Sequence, residues 1–142
     1  AEVLQRFLDA ARSAYAVPPE AELVAAPGTQ ALIQWLPRLL PPGPIAIAGP
    51  TYDEHGISWR RAGHPVLDLP ADALERGFPE GSRHLLIVRP NNPDGRCLDL
   101  NLVARLAREA AGREGSLILD ESFIDLLPDK TAATLAAALP IV

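Results

Sequence analysis

The chain has 142 residues, 48% of them hydrophobic, enough for one globular domain with a real core. Its 13 basic and 18 acidic residues leave a net charge of −5, which offers nucleic acid no broad basic field. No apolar run approaches the roughly 20 residues needed to span a bilayer, and the chain opens on an acidic amphipathic stretch rather than a basic-then-apolar leader, so a cytoplasmic protein is expected.

Leu4, Phe7, Leu8 and Ala11 recur at helical spacing, which predicts an amphipathic helix over 2–14, ended by Pro18-Pro19. A short strand is expected from Glu22 to Ala25. Pro27-Gly28-Thr29-Gln30 then opens a second helix, in which Leu32, Ile33, Trp35, Leu36, Leu39 and Leu40 cover most faces and Pro37 marks a kink. Such a helix should be largely buried.

An alternation follows: strand at Pro44–Ala48, helix at Tyr52–Ala62, strands at Pro65–Leu69 and Arg83–Arg89, helix at Leu100–Arg113 and strand at Ser116–Asp120. Short strands apolar on both faces, alternating with helices, call for a mostly parallel sheet covered on both sides, a three-layer α/β/α arrangement. There is no internal repeat, low-complexity tract or Gly/Ser linker, so one domain is expected. The single cysteine, Cys97, cannot form an internal disulfide. With no second thiol or clustered histidines nearby, it reads as a packing residue and no zinc site is expected. The chain holds 12 arginines but one lysine, Lys130, and ends on Pro140-Ile141-Val142. That apolar, β-branched ending reads as the start of a buried strand, so a truncated domain is expected.

In an open parallel sheet, ligands lie beyond the carboxyl ends of the strands, and four such segments stand out. The first is Ala25-Ala26-Pro27-Gly28-Thr29-Gln30, where free amides and the dipole of a helix start would receive a phosphate; taken alone, an ordinary helix cap explains it better. The second is Gly49-Pro50-Thr51-Tyr52-Asp53-Glu54-His55. Tyr52 could stack on a heteroaromatic ring or simply pack, and Glu54 and His55 read as the solvated side of the helix. The third, Arg89-Pro90-Asn91-Asn92-Pro93-Asp94-Gly95, is a turn too constrained to be bland. It admits a cis peptide and holds an asparagine amide able to donate to a phenolate oxygen. The fourth, Leu117-Ile118-Leu119-Asp120-Glu121-Ser122-Phe123, ends a buried strand on two carboxylates. Asp120 fits a partner for a protonated ring nitrogen, a loop cap or a metal-binding aspartate equally well.

Together these segments resemble the fold type I pyridoxal-phosphate (PLP) enzymes, the aspartate aminotransferase superfamily, from about Val24 to Val142. The family's asparagine turn, usually N-P-N-N-P-T-G, stands here as R-P-N-N-P-D-G, and its strand-end carboxylate motif as L-D-E-S-F. Asp120 follows Asn92 by 28 positions, a length that a turn, a helix and a strand fill naturally. The resemblance implies the PLP-transferase large domain, with Gly28, Thr29 and Gln30 at the cofactor phosphate and Tyr52 stacked on the pyridine ring. It implies Asn92 on the phenolic oxygen and Asp120 on the pyridinium nitrogen, which keeps the ring protonated as an electron sink. A homodimer acting on a small phosphorylated amino acid is implied as well.

Within the superfamily the resemblance leans to the threonine-phosphate decarboxylases of cobalamin biosynthesis, relatives of histidinol-phosphate aminotransferases. It rests on the Pro50 to His55 segment, on Asp94 in place of threonine, and on Phe123-Ile124-Asp125. Phe123 weighs most, because many aminotransferases of the family place a tyrosine hydroxyl there. Arg89 replaces the family's usual asparagine and receives no role. The family's lysine that bonds the cofactor covalently lies in a Ser-x-x-Lys context that this chain lacks, and the small domain with its substrate arginine is also outside it. Lys130 reads as a solvated lysine before an alanine-rich helix. No catalytic residue is therefore expected within these residues, which alone should bind PLP weakly or not at all. Two other readings stand beside decarboxylation: an aminotransferase of the histidinol-phosphate type, and a non-catalytic domain using the same fold.

Overall fold

The computed structural model describes residues 2–127, 131–136, 139, 141 and 142. Four strands, β1 (Ile45–Gly49), β2 (Val66–Pro70), β3 (His84–Val88) and β4 (Leu117–Asp120), form one sheet in the order β2-β1-β3-β4. Every pairing is parallel, with Ile45 opposite both Val66 and His84, and Val88 opposite Asp120. The carboxyl ends of all four strands therefore lie along one side of the sheet, where the crevice of an open α/β sheet forms. Ile141 adds a parallel bridge to Leu117, so the Pro140 to Val142 ending is strand-like at Ile141, while Pro140 itself lies outside the described residues.

The strand side chains alternate between two cores, as a period of two requires. On one face Ala46, Ala48, Leu85, Ile87 and Leu117 meet α4 (Leu100–Ala111) through its stripe Val103, Leu106, Ala107 and Ala110. On the other face Ile45, Ile47, Leu86, Val88 and Ile118 meet Trp59 of α3 (Glu54–Arg61) and Leu36 of α2 (Thr29–Leu39). Helices cover both faces, and the three-layer α/β/α expectation holds. β1 and β3 are buried on both sides, whereas β2, at the sheet's edge, leaves Leu67 and Asp68 exposed.

The first helix, α1 (Glu2–Ala14), matches its predicted span. Two other expectations fail. Glu22–Ala25 forms no strand: it pairs with none of the four strands, and Val24 is exposed. An extended segment without ladder partners is not a strand, whatever its composition. Nor is α2 largely buried. Only Ile33 and Pro37 are, because the sheet contacts one stripe of the helix and leaves Leu32, Trp35 and Leu39 on the open side. The lysine at 130 lies outside the described residues, and in the stretch expected to form an alanine-rich helix after it the described residues include a 3-10 turn at Ala133–Leu135. Cys97 is half-buried and free.

Candidate active site

Beyond the strand ends, a cleft of about 340 Å³ is lined by Thr29, Gln30, Ile33, Tyr52, Val88, Asn92, Asp120, Ser122 and Phe123. Five of the six predicted site residues thus meet in one place, though they come from four separate segments. The sixth, Gly28, caps α2 with φ +89 and does not line the cleft. Its positive φ turns the chain sharply into the helix, so the amides of Thr29 and Gln30 fall in the first turn, ahead of the helical ladder. A larger and more open depression of about 590 Å³ at the ends of β1 and β2 shares only Tyr52 with the predicted set.

Asp120 sits at the end of β4 with its side chain 10% exposed. Its Oδ2 lies 2.9 Å from His55 Nε2, and its Oδ1 accepts from the Ser122 backbone N–H at 2.9 Å and from the Ser122 hydroxyl. Burial pushes the carboxyl upward, but these three donors together hold it below the usual carboxylate range. The site therefore presents a fixed anion. Thr29 Oγ1, 3.2 Å from Ser122 Oγ, ties the start of α2 to the same loop.

His55 corrects the sequence reading. It is not on the solvated side of α3 but 4% exposed, and its ring meets that of Tyr52 edge to face with centroids 6.3 Å apart. The signal was present: Trp59, the buried anchor of α3, lies four residues later on the same helical face. Glu54, half-buried, accepts from Gln30 Nε2 at 3.2 Å. Replacing His55 with leucine removes one of the three donors that hold the Asp120 carboxyl low. The substitution should raise the Asp120 titration followed by carboxyl ¹³C NMR. An unmoved Asp120 would mean that the histidine contact does not set its charge.

The asparagine turn divides its labour. Asn91, 3% exposed, donates from Nδ2 to Pro50 O at 2.9 Å and to Asp94 Oδ1 at 2.7 Å, and its Oδ1 accepts from the Thr51 hydroxyl at 2.7 Å. These bonds, with those from Arg96 to Asp94, hold the Asp94 carboxyl below its usual range, the Asn91 donor first. Asn91 is spent inside the protein. Asn92 is exposed and lines the cleft, with its amide open to a ligand. Cis peptide bonds precede Pro50, Pro90 and Pro93.

Arg89, given no role from sequence, is 1% exposed; its Nε donates to Leu98 O at 2.6 Å and its guanidinium meets Glu121 Oε1 at 2.6 Å. Phe123 is half exposed on the cleft wall. Among the described residues, no group of three or more histidine, cysteine or carboxylate side chains is placed to hold a metal ion. No helix among them is long and apolar enough to cross a membrane.

A family model described as aminotransferase class I and II matches residues 2–142. Threonine-phosphate decarboxylase of Pseudomonas aeruginosa is 39% identical over 110 residues, covering 75% of this chain, and that of a Sinorhizobium species 44% identical over 109 residues, also covering 75%. The chain spans about a third of the length of these relatives, 32% of each. Among solved structures, the histidinol-phosphate aminotransferase from Clostridium acetobutylicum superposes with a TM-score of 0.75 at 19% identity, over 91% of this chain and 40% of the other, a likeness of fold.

Proposed function

We propose, from the premise that this chain belongs to the aminotransferase class I and II family, that it forms the cradle for pyridoxal phosphate in a decarboxylase of L-threonine O-3-phosphate. The observation that supports the cradle is the meeting of Thr29, Gln30, Tyr52, Asn92 and Asp120 in one cleft. The donor set fits the cofactor. A helix start with unladdered amides and the Thr29 hydroxyl suits a phosphate, with Gly28 shaping the turn, and the Tyr52 ring suits the face of a pyridine. The open Asn92 amide suits a phenolate, and the Asp120 anion suits a ring N–H⁺.

When bound, pyridoxal phosphate supplies a protonated ring that takes up the electrons left at the substrate's α-carbon. The chain's own work is to keep that ring protonated. Asp120 does so by remaining charged, and His55 and Ser122 hold its carboxylate in one orientation. Tyr52 and Phe123 flank the cleft and restrict water. In the reaction proposed, the bond from the α-carbon to the carboxylate breaks, CO₂ leaves, and a proton takes its place to give aminopropanol phosphate. The two decarboxylase relatives support this substrate, and so does Phe123, which brings no hydroxyl to the cleft wall.

The test is made on the whole protein, supplied with pyridoxal phosphate and L-threonine O-3-phosphate. Release of CO₂ with aminopropanol phosphate is the expected result. Amino-group transfer from histidinol phosphate without CO₂ release would replace the decarboxylase with an aminotransferase, and failure to bind the cofactor would remove both. Homodimerisation belongs to the same proposal and is read by sedimentation.

A further inference from the structure

We infer that Arg89 and Glu121 act as a positioning pair that sets the two walls of the cleft, a role that rests on the cradle reading above. Asn92 lies in the turn after β3 and Asp120 at the end of the neighbouring β4, and the ladder between the two strands extends past Val88 through the Arg89 N–H to Asp120 O at 2.8 Å. Side chains alternate along both strands. Val88 and Asp120 face the cleft, so Arg89 and Glu121 must face the opposite layer, with Leu85, Ile87, Leu117 and α4. There they meet at 2.6 Å, with side chains 1% and 15% exposed.

The pair reaches both loops at their bases. Arg89 Nε donates to Leu98 O at 2.6 Å, which closes the asparagine turn by joining its entry to its exit. Glu121 accepts from the Thr131 hydroxyl at 2.8 Å and from the Ala132 N–H at 3.0 Å, which fixes the segment returning after β4. One ion pair therefore fastens the loop carrying Asn92 to the end of β4 that carries Asp120, from behind. A buried pair adds little net stability over apolar replacements but defines geometry, because each partner left alone is a buried, uncompensated charge. This also accounts for the arginine that stands where the family has asparagine: in this chain the position binds across to the next strand.

The decisive variant is Arg89→Met combined with Glu121→Gln, which removes both charges while leaving a carbonyl oxygen for the Ala132 amide. Arg89→Lys keeps the charge without the two-pronged contact, and it is read alone where the double variant does not fold. The probe is pyridoxamine 5′-phosphate, whose missing aldehyde confines binding to the cradle. In the whole protein, either variant should weaken its binding tenfold or more. Amide hydrogen exchange at Asn91, Gly95 and Ser122 should quicken at least tenfold, while the amides of β1 and β3 keep their protection.

Affinity within twofold of the parent would overturn the inference. So would a loss of protection spread evenly through the strands, which would mark a merely structural pair. A parent that does not bind the probe, with variants that still loosen these three amides, would sink the cradle reading and leave the positioning intact.

Discussion

If the whole protein is the decarboxylase proposed above, Asp120→Asn should lower its turnover of L-threonine O-3-phosphate by on the order of 10²–10³-fold, the scale of one preorganised electrostatic contact. Asparagine keeps the size of the side chain and one carbonyl oxygen, so the Ser122 N–H retains an acceptor. What disappears is the negative charge that, on the proposed function, faces the ring nitrogen. The loss should therefore fall on the chemical step more than on binding, lowering kcat with a smaller change in KM. Equal loss in KM alone, with kcat preserved, would mean that Asp120 holds the ligand without stabilising charge during the reaction.

The same carboxylate gives the fold a pH dependence of known sign. Because folding lowers its pKa, Asp120 contributes stability above the unfolded carboxylate's range, and that contribution is lost as pH falls below about 4 through the lower folded value. Asp120→Asn should flatten that acid limb of the stability profile. A parent and variant that lose stability in parallel on acidification would assign the limb to other groups.

The parallel α/β sheet was legible because its signals are local: β1, β3 and β4 are short apolar runs, and α4 carries its apolar stripe at regular spacing. The cleft was legible for a related reason. A parallel sheet brings the ends of its strands together, so unusual loops after strands become neighbours even when separated by dozens of residues. What could not be read was which polar side chains turn inward. Asn91 and Asn92 are adjacent and identical in type, yet one is consumed by Thr51, Pro50 and Asp94 while the other faces the cleft. Only the path of the turn decides between them. Arg89 and Glu121 looked like an outlier and half of a motif, and their pairing depends on the register of β3 against β4, which no single segment encodes. The expected strand at Glu22–Ala25 failed in the same way, since strand formation depends on a partner rather than on the segment.

Gly115→Ala should damage the fold more than any other glycine substitution to alanine, by about 3 kcal/mol or more, because the added methyl has nowhere to go. A Cβ at Gly115 would fall 1.8 Å from the Arg83 carbonyl oxygen and 2.9 Å from its carbonyl carbon. Both are backbone atoms, and Arg83 is itself fixed through its N–H to Pro44 O at 2.8 Å. No rotamer change can relieve the contact, so β4 must move away from β3. Gly81 makes the control: its φ of +75 strains an alanine, but nothing lies within 4 Å of its Cβ, and the cost should be about 1–2 kcal/mol. Thermal melts of the two variants separate crowding from backbone strain, and a Gly115→Ala protein melting within 2 °C of the parent would contradict the close approach of the two chains. The damage should also reach the cleft, because Gly115 lies just before β4, and Asp120 ends that strand. In any Gly115→Ala protein that still folds, the Ser122 amide beside Asp120 should therefore exchange faster than in Gly81→Ala, even when the two are compared at temperatures where both are fully folded.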